Sequence, residues 1–133
     1  MTNRQLIDKA ASVVKVHRKG DFESGGVGCA LLTESGKVYT GVCIDTIASM
    51  GYCAEHNAIG TMVTDGEFKI TKIVAVWKDE QGKLFVIPPC GRCRELIHQT
   101  DPANLDTQVI LDVDKTEPLR NLLPYHDWWK EME

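Results

Sequence analysis

A chain of 133 residues has room for one domain and not for two. With 43% hydrophobic and 26% charged residues it can bury enough surface to offset its ordering entropy, which excludes a disordered chain. A net charge of −4, with no basic run longer than a pair, speaks against a nucleic-acid polymer as partner, and no apolar run approaches the roughly 20 residues of a membrane span.

Thr2 and Asn3 are candidate N-caps for a first helix that carries Leu6, Ile7, Ala10, Ala11, Val13 and Val14 on one face. The spacing predicts that this helix runs to about Gly20. Because Met1-Thr2-Asn3-Arg4 leads straight into it, no signal peptide is expected and the cytoplasm is the expected compartment. Residues 21–26 read as a loop, with Gly25-Gly26 as its strongest breaker. Residues 27–33 and 38–44 follow as two strands joined by Glu34-Ser35-Gly36-Lys37, a predicted β-hairpin. The stretch 45–52 has no period and reads as a loop.

Ala54, Ala58, Ile59, Met62 and Val63 recur at helical spacing, so 53–63 is a second predicted helix, closed by Asp65-Gly66. The near-continuous apolar run 70–77 reads as a buried strand, with Trp77 at its end as a packing residue. A short strand over 84–87 is stopped by Pro88-Pro89, and a third helix covers 90–99. A last strand over 109–113 and a short helix over 116–123 complete the pattern. It predicts an α/β fold over residues 1–133, a central sheet with helices on both faces, whose final strands pair in parallel because a helix separates them.

Five cysteines without a secretory segment do not suggest a disulfide framework. Cys53-Ala54-Glu55 opens the second helix, and Pro88-Pro89-Cys90-Gly91-Arg92-Cys93 opens the third. At a helix N-terminus the free backbone N–H groups and the dipole favour thiolate, the form that binds zinc. Cys90 and Cys93, one turn apart, can face a single ion, and Cys53 from the neighbouring helix supplies a third ligand. Three protein ligands leave the fourth tetrahedral position to water, whose pKa falls to about 7 on zinc. Glu55, two residues beyond Cys53, can reach that water without binding the metal and act as its general base.

This spacing matches the established signature of the zinc deaminases, in which a His or Cys is followed two residues later by Glu and then by P-C-x-x-C. Together with Val27-Gly28-Cys29-Ala30-Leu31-Leu32, Gly36-Lys37-Val38-Tyr39-Thr40-Gly41-Val42, Cys90-Gly91-Arg92-Cys93-Arg94-Glu95-Leu96 and Leu122-Leu123-Pro124, it resembles the cytidine deaminase family over most of the chain. The resemblance implies a three-layer α/β/α sandwich with a five-stranded mixed sheet. It also implies one zinc ion per subunit and a homotetramer with active sites near the subunit interfaces. The backbones of Ala54 and Pro89 would contact the pyrimidine, Glu55 would shuttle protons to N3 and to the departing nitrogen, and Cys29 would border the pocket. Arg94 would partly offset the charge of three thiolates, and His56, where the family often has Arg, would support the centre from behind.

Two departures concern the sugar. Where cytidine-acting members carry Asn-x-Glu, this chain has Cys43-Ile44-Asp45, and Cys is the poorer hydrogen-bonding group. Where a Phe often follows Leu-Leu-Pro, it has Tyr125-His126-Asp127-Trp128-Trp129. A Trp there, and Arg92 within Cys-Gly-Arg-Cys, look more like the blasticidin-S deaminases of the same superfamily. Trp129 is thus a candidate substrate contact, although an exposed aromatic pair equally marks a subunit contact.

The resulting expectation is hydrolytic deamination of a free cytosine nucleoside, either cytidine or deoxycytidine or a modified nucleoside such as blasticidin S. Other readings of the same residues are a redox Cys-x-x-Cys, a structural zinc site with His56 as fourth ligand, and a non-catalytic zinc-stabilised binding protein. A deaminase of single-stranded nucleic acid is disfavoured by the acidic charge and the short chain. Cys43, like Cys29, reads equally as a small core residue, and His17, His98 and His126 need no function.

Overall fold

The computed structural model describes every residue except Trp128. Its elements are α1 (Asn3–Ser12), β1 (His17–Lys19), β2 (Phe22–Thr33), β3 (Val38–Asp45), α2 (Ala54–Thr64), β4 (Ile70–Lys78), β5 (Leu84–Ile87), α3 (Gly91–Thr100), β6 (Gln108–Asp112) and β7 (Lys115–Pro118). Short 3₁₀ turns follow α3 and β7, over Pro102–Asp106 and Leu119–Asn121. Among these residues no helix is long and apolar enough to cross a membrane.

The sheet is mixed, as expected, but contains seven strands and not five. Across its width lie β3, β2, β4, then β5 and β6 on the same side of β4, then β7, with β1 extending the edge of β2. The one parallel pairing is β4 with β6, and α3 makes the crossover between β5 and β6.

Both additional strands lie where a helix was predicted. The first helix stops at Ser12, well short of Gly20, because the β-branched Val13, Val14 and Val16 follow and Gly20, at φ +61°, turns the chain. His17–Lys19 then pairs with the start of β2 through a two-residue turn at Gly20-Asp21. In the same way the predicted helix over 116–123 is β7 followed by a 3₁₀ turn: Thr116 and Glu117 pair with Ile110 and Val109, and only then does Leu119 enter the core. The glycine pair predicted as a loop is a bulge inside β2. Gly25 sits at φ +87°, its carbonyl accepts from Lys15 N–H, and the register with β3 slips between Ser24 and Gly28.

Side chains alternate between the two sheet faces. Ala30, Val74, Val76 and Ile110 meet Leu6, Ile7 and Ala10 of α1, which is held at its start by a Thr2–Gln5 capping box. On the other face Cys29, Leu31, Ile73 and Val109 meet Ala54, Ala58, Ile59 and Met62 of α2 and Ile97 of α3. The result is the three-layer α/β/α sandwich. Gly41 sets the approach of α2 to β3, since a Cβ there would stand 2.4 Å from Ala58 N and 2.8 Å from Ala54 O. That contact fixes where α2 begins.

Candidate active site

Cys53 and Cys90 are the N-cap residues of α2 and α3, both extended, with φ/ψ of −70°/159° and −71°/174°. Neither side chain makes a well-formed capping hydrogen bond. Cys93 stands one turn into α3 and is fully buried. The Cys53 and Cys93 sulfurs each lie 3.6 Å from Cys90 Sγ, and all three fall within 4.8 Å of one another. A tetrahedral zinc with Zn–S bonds of about 2.3 Å sets its sulfurs roughly 3.8 Å apart, so the trio fits one zinc ion.

The electrostatics separate the three thiols. Burial pushes the pKa of Cys93 far up, helped by the nearby Glu55 and the other two sulfurs. Burial also raises Cys53. For Cys90 burial acts in the same direction but is outweighed by the backbone N–H groups of Cys93 and Arg92 and by the neighbouring thiols, leaving its pKa below the usual value. The N-terminus of α3 thus does to Cys90 what a helix start does to an anion. A cation among the sulfurs would bring all three to the thiolate form.

Glu55 is buried, at 5% exposure, on the first turn of α2, and it lines the same cleft as Cys53 and Cys90. Burial raises its pKa, opposed by its own backbone N–H and by the Cys93 thiol. Ala54 and Pro88 line that cleft as well, while Pro89 closes a small void against Glu55. The cleft holds about 750 Å³.

The other predicted residues divide. Arg92 lines the cleft. Arg94 donates to the carbonyls of Pro89 (2.9 Å) and Leu122 (3.0 Å), tying the loop before α3 to the C-terminal segment. His56 faces a separate groove with Tyr52, Asn57 and Thr61, and its buried Nε2 has no hydrogen-bond partner among the described residues; burial and the nearby Arg92 lower its pKa. It does not join the sulfurs, and among the described residues Cys53, Cys90 and Cys93 form the one group placed to hold a metal. Cys29 is fully buried behind Glu55 and does not reach the cleft surface. Cys43 and Asp45 do line it. Val27 N–H donates to Cys43 Sγ at 3.3 Å, and that thiol faces Asp45 Oδ2 at 3.6 Å. Trp129, 78% exposed, lies instead in a shallow groove with His98, His126 and Lys130, while its neighbour Trp128 lies outside the described residues.

Trp77 departs from its predicted packing role. It is 44% exposed and lines the cleft beside Val27 and Ile87. The signal was the alternation of β4, which puts residue 77 on the same face as Ile73 and Ala75 but beyond the cover of α2. The loop over 46–52 also contributes to the wall and holds Ala48 and Ser49 at φ +64° and +57°. Left-handed non-glycine residues are uncommon and gather at functional sites. An Ile44–Tyr52 bridge closes this loop.

Taken together, the sandwich and the three sulfurs at two helix starts describe an α/β fold with a cysteine trio placed to hold a metal ion. The chain belongs to the family described as "Cytidine and deoxycytidylate deaminase zinc-binding region", which matches residues 1–107. A cytidine deaminase of Halalkalibacterium halodurans is 32% identical over 111 residues, 82% of this chain and 79% of that protein. A blasticidin-S deaminase of Bacillus cereus is 40% identical over 81 residues, 57% of this chain; the match spans 58% of the relative's own length. Among solved structures, the cytidine deaminase of Bacillus anthracis superposes with a TM-score of 0.74 at 27% identity, over 93% of this chain and 88% of that one. That of Mycobacterium tuberculosis gives 0.72 over 92% of this chain and 94% of that one, at 23% identity, a likeness of fold.

Proposed function

We propose that the chain hydrolyses the 4-amino group of a free cytosine nucleoside to a carbonyl and releases ammonia. The observation that carries this reading is a trio of sulfurs at zinc spacing, two of which, Cys53 and Cys90, line one cleft with a buried carboxyl. Cys53, Cys90 and Cys93 would hold a zinc ion, which when bound would supply Lewis acidity to the hydrolysis. Glu55 takes a proton from the attacking water and sets it on ring N3. It then carries the remaining proton of that oxygen to the amino nitrogen, which leaves as ammonia while C4 keeps the oxygen as its carbonyl. A carboxyl with a raised pKa is suited to accept and return protons near neutrality.

The backbones of Ala54 and Pro89 hold the ring, and Arg94 acts as a positioning residue by fixing the Pro89 carbonyl. On the sugar side the Cys43 thiol is already engaged by Val27 N–H and Asp45, which leaves the Asp45 carboxylate as the exposed acceptor. That arrangement, with the 40% identity to a blasticidin-S deaminase, favours a second reading in which the nucleoside carries a larger sugar-side group. A homotetramer and a cytoplasmic location belong to the same proposal.

Ultraviolet-monitored turnover of cytidine, deoxycytidine, cytosine and blasticidin S by the zinc-loaded protein tests it. Turnover of cytidine or deoxycytidine supports the main reading, and turnover of blasticidin S alone supports the second. Inactivity on all four, with zinc bound and the fold intact, overturns both.

A further inference from the structure

Trp77 and Phe85 are Cα partners on β4 and β5, and their rings lie 5.2 Å apart at 30° on the sheet face that carries the cleft. Lys83 Nζ lies over the Phe85 ring, 5.6 Å from its centroid. One indole face is therefore supported, while the side chain stays 44% exposed and lines the cleft. Trp77 is also the Cα partner of Val27, whose N–H holds Cys43 from the opposite edge of β2. Trp77 and Cys43 thus flank one strand, roughly 10 Å apart at two strand spacings. At about 750 Å³ the cleft, which Trp77 lines together with Cys53 and Cys90, has room for more than a pyrimidine ring.

We propose that Trp77, backed by Phe85, is a specificity-determining residue, a platform for a second planar or apolar group that the substrate carries on its sugar. The inference rests on the cytosine-nucleoside reading and narrows it to nucleosides with an extended sugar-side substituent. Aromatic side chains suit this role because they offer a large rigid face at little entropic cost. The rival occupant of the same face is a second copy of the chain.

The probes are cytidine and 5′-O-benzoylcytidine. Turnover is measured with the wild type, W77A and W77F, and binding by calorimetry in the Glu55→Ala background with and without W77A. The expected result is that W77A raises KM for the benzoyl compound about tenfold more than for cytidine, equivalent to about 1.4 kcal/mol, with kcat for the two moving together. W77F keeps most of the discrimination, and the calorimetric Kd values show the same difference. Equal effects on both compounds overturn the proposal. So does an unchanged benzoyl-to-cytidine ratio combined with a shift to smaller species in sedimentation, which assigns the aromatic pair to contact between chains. If neither compound turns over but Trp77 still discriminates in binding, the deamination reading fails and the platform stands. No discrimination in binding removes the platform whatever the turnover.

Discussion

The reacting side of the cleft is delivered by two helix N-termini, whereas the sugar side is delivered by strand ends and the loop over 46–52. On the first side, Cys53, Glu55, Cys90 and Cys93 lie within one turn of a helix start, and the close approach of α2 at Gly41 fixes where Cys53 and Glu55 stand. On the second, Cys43 and Asp45 end β3, Trp77 approaches the end of β4, and the loop holds two left-handed non-glycine residues. The rigid side is built for one chemistry; the other is where substrate choice has room to change. Functional variation concentrates in loops and strand ends carried by a rigid scaffold, and the cleft follows that division.

The contrast can be broken most severely at the metal. Cys93→Ser removes a buried sulfur from the trio, and the expected outcome is loss of bound zinc together with all measurable turnover, read by metal analysis and a rate assay. A thermal melt in the same experiment shows how far the ion also holds α2 to α3. Next in size is Gly41→Ala. Its Cβ would crowd Ala58 N and Ala54 O, so a loss of about 1–3 kcal/mol in denaturant unfolding is expected, with kcat falling as α2 shifts. An Asp45→Ala change acts on the other side alone: KM for nucleosides rises by about tenfold or less while kcat changes little, consistent with the loss of one exposed hydrogen bond.

The smallest effect lies away from both sides and serves as a control. Hydrogen bonds from Ser35, Thr33 and Tyr39, with Lys37 nearby, hold the Glu67 carboxyl down at about 2. Its folded pKa is lowered, so its contribution to stability is present above the ordinary carboxylate value and is lost as pH falls through about 2. Glu67→Gln is expected to flatten the fall in melting temperature between pH 4.5 and pH 2, with turnover at neutral pH unchanged.

The same division governs how much could be read from the residues alone. Cys53-Ala54-Glu55 and Pro89-Cys90-Gly91-Arg92-Cys93 are contiguous motifs at helix starts, and short-range spacing specifies what a helix start presents. The convergence of their sulfurs follows once α2 and α3 pack on one sheet face. The sugar side depends on register, which no local pattern states. Trp77 reached the cleft because the alternation of β4 outlasts the cover of α2. Gly25-Gly26 reads as a breaker in any window, but tertiary pairing turned it into a bulge. The short strands β1 and β7 were hidden for a related reason: a strand of three or four residues carries too few alternations to outweigh neighbouring apolar residues at helical spacing.

The central claim is that Glu55 moves the protons while the three sulfurs hold the metal, and one paired measurement on Glu55→Ala tests it. Zinc content and turnover of the best wild-type substrate are determined on the same sample. The expected result is about one zinc per chain, a thermal melt close to that of the wild type, and a rate reduced by about 10²–10⁴-fold or more. Retained zinc with undiminished turnover would contradict the role of Glu55, and loss of the metal would contradict its separation from the coordinating sulfurs.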